Sequence, residues 1–249
     1  SLLPIMLLIA GGWLIVQVAG VDVAGAVQAV FMPLQSALTS PVGFVFFCFL
    51  KCFIYSMGIS TWVLTPVDEP VKLAVIAANL ELVAAGIATY QNLGVFTETF
   101  MFCTYLWIGG VGCTLSLCLL MMFTCKSSEL KALGRACVVP GIFNINEPVI
   151  FGAIAWNPLL MLPMWLQGII LPIVTYIFTK VIPFAPIPRI QFDLWYCPYP
   201  ISTFIATQGS ITGVIFAILT FVLSAVIWFP FLKAYDDQKV KEETAAIKA

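Results

Sequence analysis

Polar positions along this chain arrive in short clusters that separate long uncharged runs. Leu2–Val21 contains 20 residues without a charge, enough as a helix to cross about 30 Å of hydrocarbon. Asp22–Ser40 is interrupted by Asp22, Gln28, Pro33, Gln35 and Ser36, and the pattern predicts an interfacial or connecting helix. Gly43–Leu64 is again long enough to span, with Lys51 inside it and Gly58 near its far end. Thr65–Gln91 carries Asp68, Glu69, Lys72 and Glu81 and is expected at an interface or over the protein. Phe100–Cys125 is a 26-residue uncharged run containing Gly109-Gly110-Val111-Gly112, small residues that let helices approach closely.

The second half is more broken. Lys126–Arg135 predicts a short polar loop with three basic residues, cytoplasmic by the positive-inside bias. From Ala136 to Thr179 the only charged residue is Glu147, and Pro140-Gly141 and Pro148 interrupt the run. That predicts a re-entrant hairpin over Ala136–Phe151 and a true span over Ala155–Thr179. Lys180–Asp193 is a proline-rich outer loop, and Leu194–Ser210, with Pro198, Pro200, Gln208 and Gly209, is a second candidate hairpin. Ile211–Leu232 then returns the chain to the side of the 126–135 loop, where Lys233, Lys239, Lys241 and Lys248 lie. Irregular backbone at membrane depth is tolerated only where protein buries it or water lines it. Two interrupted apolar segments therefore point to the substrate site of a transporter. The fold class expected is an all-α polytopic membrane protein with about four to six transmembrane helices and two re-entrant hairpins.

Composition agrees. Apolar residues make up 61% of the 249 and charged ones 9%, with a mean hydropathy of +1.06; soluble domains carry roughly 25% charged residues. The net charge of −1 excludes a module that works by neutralising nucleic-acid phosphates. The absence of histidine removes His-based acid–base chemistry, the triads built on it and most zinc sites. No phosphate-cradling glycine loop and no nucleophile-plus-base pair stand out, so no covalent chemistry, cofactor or metal is expected. The eight cysteines include no CxxC pair and read as small apolar filling. The chain opens at Ser1 within an apolar stretch, with no basic region or cleavage signal before it. Leu2–Val21 is thus not a signal peptide, and part of a longer membrane protein is expected to be missing here.

Glu147 is the strongest candidate for function. A carboxylate inside apolar sequence is costly unless it is paired or faces a cavity. It sits in Asn144-Ile145-Asn146-Glu147-Pro148, beside side chains able to hydrogen-bond, and a carboxylate can accept two hydroxyls of a sugar at once. The plain alternative is a structural carboxylate capping a broken helix. Trp195 either stacks against a pyranose or anchors the chain in the aromatic belt of the outer interface. Lys51 is expected to pair with Glu81 or Glu98, or to snorkel. Trp107 reads as packing or an interface anchor, and Glu98 as a first-turn acid favoured by the helix dipole.

The run Pro140-Gly141-Ile142-Phe143-Asn144-Ile145-Asn146-Glu147-Pro148-Val149-Ile150-Phe151-Gly152 closely resembles the signature of the membrane-embedded IIC permeases of the bacterial phosphoenolpyruvate-dependent phosphotransferase system. It looks most like the lactose, cellobiose and N,N'-diacetylchitobiose branch. Asn157-Pro158-Leu159-Leu160, Trp107-Ile108-Gly109-Gly110 and Phe229-Pro230-Phe231-Leu232-Lys233-Ala234-Tyr235-Asp236 are similar to that branch too. The resemblance implies a homodimeric permease in the bacterial cytoplasmic membrane. Its transport half would carry a disaccharide by an elevator-like shift, and a cytoplasmic IIB partner would phosphorylate the sugar. It further implies that Glu147 binds sugar with Asn146 beside it, Asn144 in the same motif, and that Trp195 stacks. Where the family carries Gly-Ile-His, with a sugar-contacting histidine, this chain has Gly58-Ile59-Ser60, so Ser60 is the candidate at that position.

Family chains are much longer. The expected organisation is therefore a last scaffold helix and connector over 1–40, a transport domain over 41–234 and a cytoplasmic tail over 235–249, with the missing scaffold half absent or supplied by another polypeptide. A rival reading is a non-transporting sugar sensor, receptor or assembly subunit on the same fold. A passive channel ranks below both, since nothing resembles a charged or carbonyl-lined filter.

Overall fold

The computed structural model describes residues 4, 6, 10–13 and 33–248. The chain divides into two compact units, residues 1–37 and 38–249. Of the first, only short helical pieces are described. The expected span Leu2–Val21 and most of the connector Asp22–Ser40 lie outside the described residues. The second unit is built from helices, with no strand among the described residues.

Its elements are α1 (Pro41–Ser56), a 3-10 turn (Thr61–Leu64), α2 (Thr65–Ala84), α3 (Glu98–Cys103), α4 (Thr114–Thr124) and α5 (Ser128–Ile142). There follow α6 (Glu147–Val149), which runs into a π-helical turn (Ile150–Ile154), and α7 (Pro158–Tyr176), which ends in another (Ile177–Val181). Two more helices, α8 (Ile201–Ala206) and α9 (Ile211–Lys248), complete the chain. Local chemistry starts several of them. Ser40 accepts a hydrogen bond from the Gly43 amide at 3.0 Å ahead of Pro41. Thr97 caps α3 through the Phe100 amide at 3.1 Å, with Glu98 in the first turn. Asn157 caps α7 through Leu159 at 3.2 Å, just before Pro158. Each cap satisfies an amide that the helix leaves without a partner, and proline at a first turn gives up none.

Packing then assembles these pieces. The longest contacts run between α1 and α7 and between α4 and α5, while α9 lies against both α7 and α4. Helix α1 meets α7 backbone to backbone at Gly168, where a Cβ would stand 2.8 Å from Phe49 Cα and 3.0 Å from the Cys48 carbonyl oxygen. Edge-to-face rings tie α1, α3 and α9 together: Phe44 to Phe100 at 6.2 Å, Phe100 to Tyr105 at 5.6 Å and Tyr105 to Phe216 at 5.1 Å. Trp107 is fully buried in this core, a packing residue. Among the described residues, α9 and α7 with its π turn are long and apolar enough to cross a membrane. The protein is an all-α membrane protein.

Several expectations are corrected. Within the uncharged run Phe100–Cys125, α3 stops at Cys103 and α4 starts at Thr114. Between them Gly109, Gly110, Gly112 and Cys113 all have positive φ, a left-handed backbone that ends α-helix and that glycine adopts at little cost. Lys126–Arg135 is not a loop, because Ser127 accepts from the Leu130 amide at 3.2 Å and starts α5 at once. The Gly43–Leu64 helix stops at Ser56, just short of Gly58 at φ 77°. Thr65–Gln91 does not merely lie over the protein, since α2 buries Asp68, Lys72 and Asn79. The first hairpin turns at residues 143–146, between α5 and α6, and α9 continues unbroken from the apolar run into the charged tail.

Candidate substrate cavity

A cavity of about 610 Å³ lies among α1, α2, α3, the 110–111 backbone, the 144–147 turn and the 193–195 segment. Its construction starts with the two asparagines. Asn144 sits at φ 60°, a conformation asparagine tolerates better than most residues. Its Oδ1 accepts from the Gly109 amide at 2.6 Å, and its Nδ2 donates to the Phe102 carbonyl at 3.2 Å and to the Trp195 carbonyl. Asn146 Nδ2 donates to the Val111 carbonyl at 2.9 Å, while Oδ1 accepts from the Tyr55 hydroxyl at 3.2 Å. Gly110 makes room for this arrangement: a Cβ there would stand 2.5 Å from Asn146 Cγ. Both amide groups are thus spent stitching the 102–111 loop, the Trp195 segment and α1 around the turn.

Glu147 is placed differently. It opens α6 and is exposed, with the Tyr55 hydroxyl as its polar neighbour in the wall. Half-buried Trp195 lines the same cavity, its ring edge-on to Tyr196 at 5.5 Å. The structure therefore brings Glu147, Asn146, Asn144 and Trp195 together at one wall. Ser60 is not among the lining residues; Thr61 and Trp62 are. Ser60 is exposed and its hydroxyl accepts from the Trp62 amide at 3.4 Å, capping the 3-10 turn. Tyr55 and Trp62 escaped the sequence reading. Tyr55 had a faint signal as a polar-tipped ring one turn beyond Lys51 in a mostly apolar helix.

An ion-pair network forms another part of the wall. Lys51 Nζ lies 2.6 Å from Asp68 and above the Phe47 and Phe102 rings. This corrects the expected pairing with Glu81 or Glu98. The physical reason is that α2 buries Asp68, 1% exposed, within reach of Lys51, and a buried ammonium needs a buried partner. Glu98 pairs instead with Lys72 at 2.6 Å, and Lys72 also meets Glu69 at 2.7 Å and Asp68 at 3.7 Å. Among the described residues no cluster of His, Cys, Asp or Glu is arranged to hold a metal.

What this geometry offers is hydroxyl acceptance by one free carboxylate, an aromatic face and a polar wall, carried by a helical membrane domain with broken helices at its centre. Comparison with known proteins gives that description a family. The model of the phosphotransferase system EIIC family matches residues 1–168, and the chain belongs to that family. It is 33% identical over 228 residues to the PTS system lactose-specific EIICB component of Lactococcus lactis subsp. lactis, covering 90% of this chain and 39% of that protein. It is 42% identical over 152 residues to the PTS system cellobiose-specific EIIC component of Geobacillus stearothermophilus, covering 61% of this chain and 33% of that one. The crystal structure of ChbC, the IIC component from the N,N'-diacetylchitobiose-specific phosphotransferase system, superposes with a TM-score of 0.78 at 34% identity, over 85% of this chain and 48% of ChbC. The branch is therefore that of lactose, cellobiose and diacetylchitobiose, and the chain spans less than half the length of these relatives.

Proposed function

We propose that this chain is the transport half of a disaccharide permease in a bacterial cytoplasmic membrane, working with a cytoplasmic IIB protein that phosphorylates the sugar. The observation that carries this reading is the contrast inside one motif. Asn144 and Asn146 have their amides committed to backbone and Tyr55, whereas the Glu147 carboxylate stands exposed in a cavity of disaccharide size. Glu147 accepts two sugar hydroxyls, Trp195 stacks on a pyranose face, and the asparagines hold both in place. Ser60 acts through the turn that presents Thr61 and Trp62. The chain itself performs no phosphoryl transfer. Its membrane partners are a second copy, as a homodimer, and the scaffold half, on the same or a separate polypeptide.

Equilibrium binding of labelled cellobiose and diacetylchitobiose to the detergent-solubilised protein tests this reading. Saturable binding that is weakened roughly 100-fold in Glu147→Gln and roughly tenfold in Trp195→Ala is the expected result. A folded protein that binds neither disaccharide would falsify the reading.

A further inference from the structure

The charges around the cavity do not balance. Two lysines line it, Lys51 and Lys72, against four carboxylates, Glu69, Glu98, Glu147 and Asp193. Both ammonium groups are already engaged, Lys51 with Asp68 at 2.6 Å and Lys72 with Glu69 and Glu98 at 2.7 and 2.6 Å. With Asp68 behind the wall, five carboxylates face two ammonium groups and leave a formal charge of −3. The two carboxylates outside this network have no ammonium partner among the described residues. Glu147 has the Tyr55 hydroxyl beside it, whose proton goes to Asn146, and Asp193 accepts from the Gln191 amide at 2.5 Å. A hydrogen bond from a neutral group leaves the full negative charge in place. In a cleft with apolar surroundings such charge is focused rather than diluted. The tryptophans of the wall, Trp62 and Trp195, add ring faces that attract cations.

We propose that the cavity sorts saccharides by charge, holding cationic amino-sugar disaccharides more tightly than neutral ones and rejecting those that carry phosphate. The proposal rests on the disaccharide reading above and deepens it. A neutral sugar enters without opposing the field. Once it carries phosphate, the same carboxylates repel it, so the charge of the wall disfavours rebinding of the product. Specificity built from repulsion needs no extra contact with the preferred ligand.

Three probes of one size separate the possibilities: cellobiose, cellobiose 6-phosphate, and the β-1,4-linked glucosamine disaccharide bearing two ammonium groups. Their affinities are measured on the whole protein in nanodiscs of neutral lipid, at low and high ionic strength. The phosphate is expected to bind at least about tenfold more weakly than cellobiose and the diamine at least about fivefold more tightly, with both gaps shrinking in high salt. Asp193→Asn, at an exposed position, narrows both gaps. Equal affinities for cellobiose and its phosphate, or gaps indifferent to salt, overturn the proposal and leave the disaccharide site standing. Binding of the diamine alone supports charge selection and removes the neutral-sugar reading. Failure of all three probes with folded protein removes both.

Discussion

The molecule treats its acidic side chains in two opposite ways. At the polar end of α9, Asp236 accepts from the Lys126 amide at 2.9 and 2.8 Å and from the Ser127 amide at 2.8 Å. Glu243 takes the Ser127 hydroxyl at 2.7 Å, the Ser128 amide at 3.2 Å and the Glu129 amide at 3.0 Å. Those carboxylates cap the start of α5 from another helix, where the amides have no partner of their own and the dipole favours negative charge. In the cavity, Glu147 meets no backbone amide among the described residues and faces open space beside Tyr55. A carboxylate whose acceptor sites are filled by the protein is structural. One whose sites are left free is available to a ligand.

The contrast can be broken at several points. Glu147→Gln carries the largest effect, the near-complete loss of disaccharide binding, while its thermal unfolding stays close to wild type because no protein hydrogen bond network depends on it. Lys51→Met comes next. It leaves buried Asp68 with Lys72 at 3.7 Å in place of the closer Lys51, and breaking a buried pair costs up to about 3–5 kcal/mol; the double variant Lys51→Met with Asp68→Leu is expected to recover most of that in chemical unfolding. Asp236→Ala removes the acceptor of two amides at a nearly buried position, so stability falls by roughly 3 kcal/mol. Cellobiose affinity in that variant changes less than about threefold, the opposite of the Glu147 pattern, because two amides are lost and no ligand contact is.

The smallest effect is a pH dependence. The Ser127 hydroxyl, with the Glu129 and Ser128 amides, holds Glu243 down to about 2 from its ordinary value of 4.5. A carboxylate depressed in the folded state stabilises fully above its unfolded pKa, and that contribution fades as pH falls toward the folded one. The stability gap between wild type and Glu243→Gln is therefore expected to be open at pH 6 and to narrow between pH 4.5 and 2, read by thermal unfolding at matched salt. A gap unchanged across that range would show that the three hydrogen bonds do not depend on the charge.

Much of the fold could be read from residue order alone. The uncharged runs, the breaks before Pro148 and at Pro198 to Pro200, and the lone Glu147 follow from local costs, whereas α5 runs on through Pro140-Gly141 to Ile142. Charge is expensive in apolar sequence, proline lacks an amide, and glycine permits a left-handed backbone. The same local reasoning fell short inside the uncharged run 100–125, whose break it did not foresee. Phe100–Cys125 is uncharged, yet its glycines fold it into two short helices and a loop that forms part of the cavity wall. It failed again at 126–135, where charge suggested a loop and Ser127 instead starts a helix capped from α9.

Partnerships were beyond such reasoning. That Lys51 pairs or snorkels could be expected from its position; that it pairs with Asp68 depended on α2 bringing that carboxylate within 2.6 Å. That Asn144 and Asn146 can hydrogen-bond was clear; that they bond backbone and Tyr55, leaving Glu147 free, depended on α1 and the loops at residues 109, 111 and 195 coming together. Ser60 matched a family position by sequence, but the turn directs its hydroxyl to the Trp62 amide. The sequence by itself determined a helical membrane domain with broken segments and one lone acidic candidate, because burial costs and backbone preferences belong to each residue in its own stretch. Only the tertiary structure decided which polar groups are spent and which remain open, because a hydrogen bond or ion pair requires two groups within about 3 Å, and packing alone sets that distance.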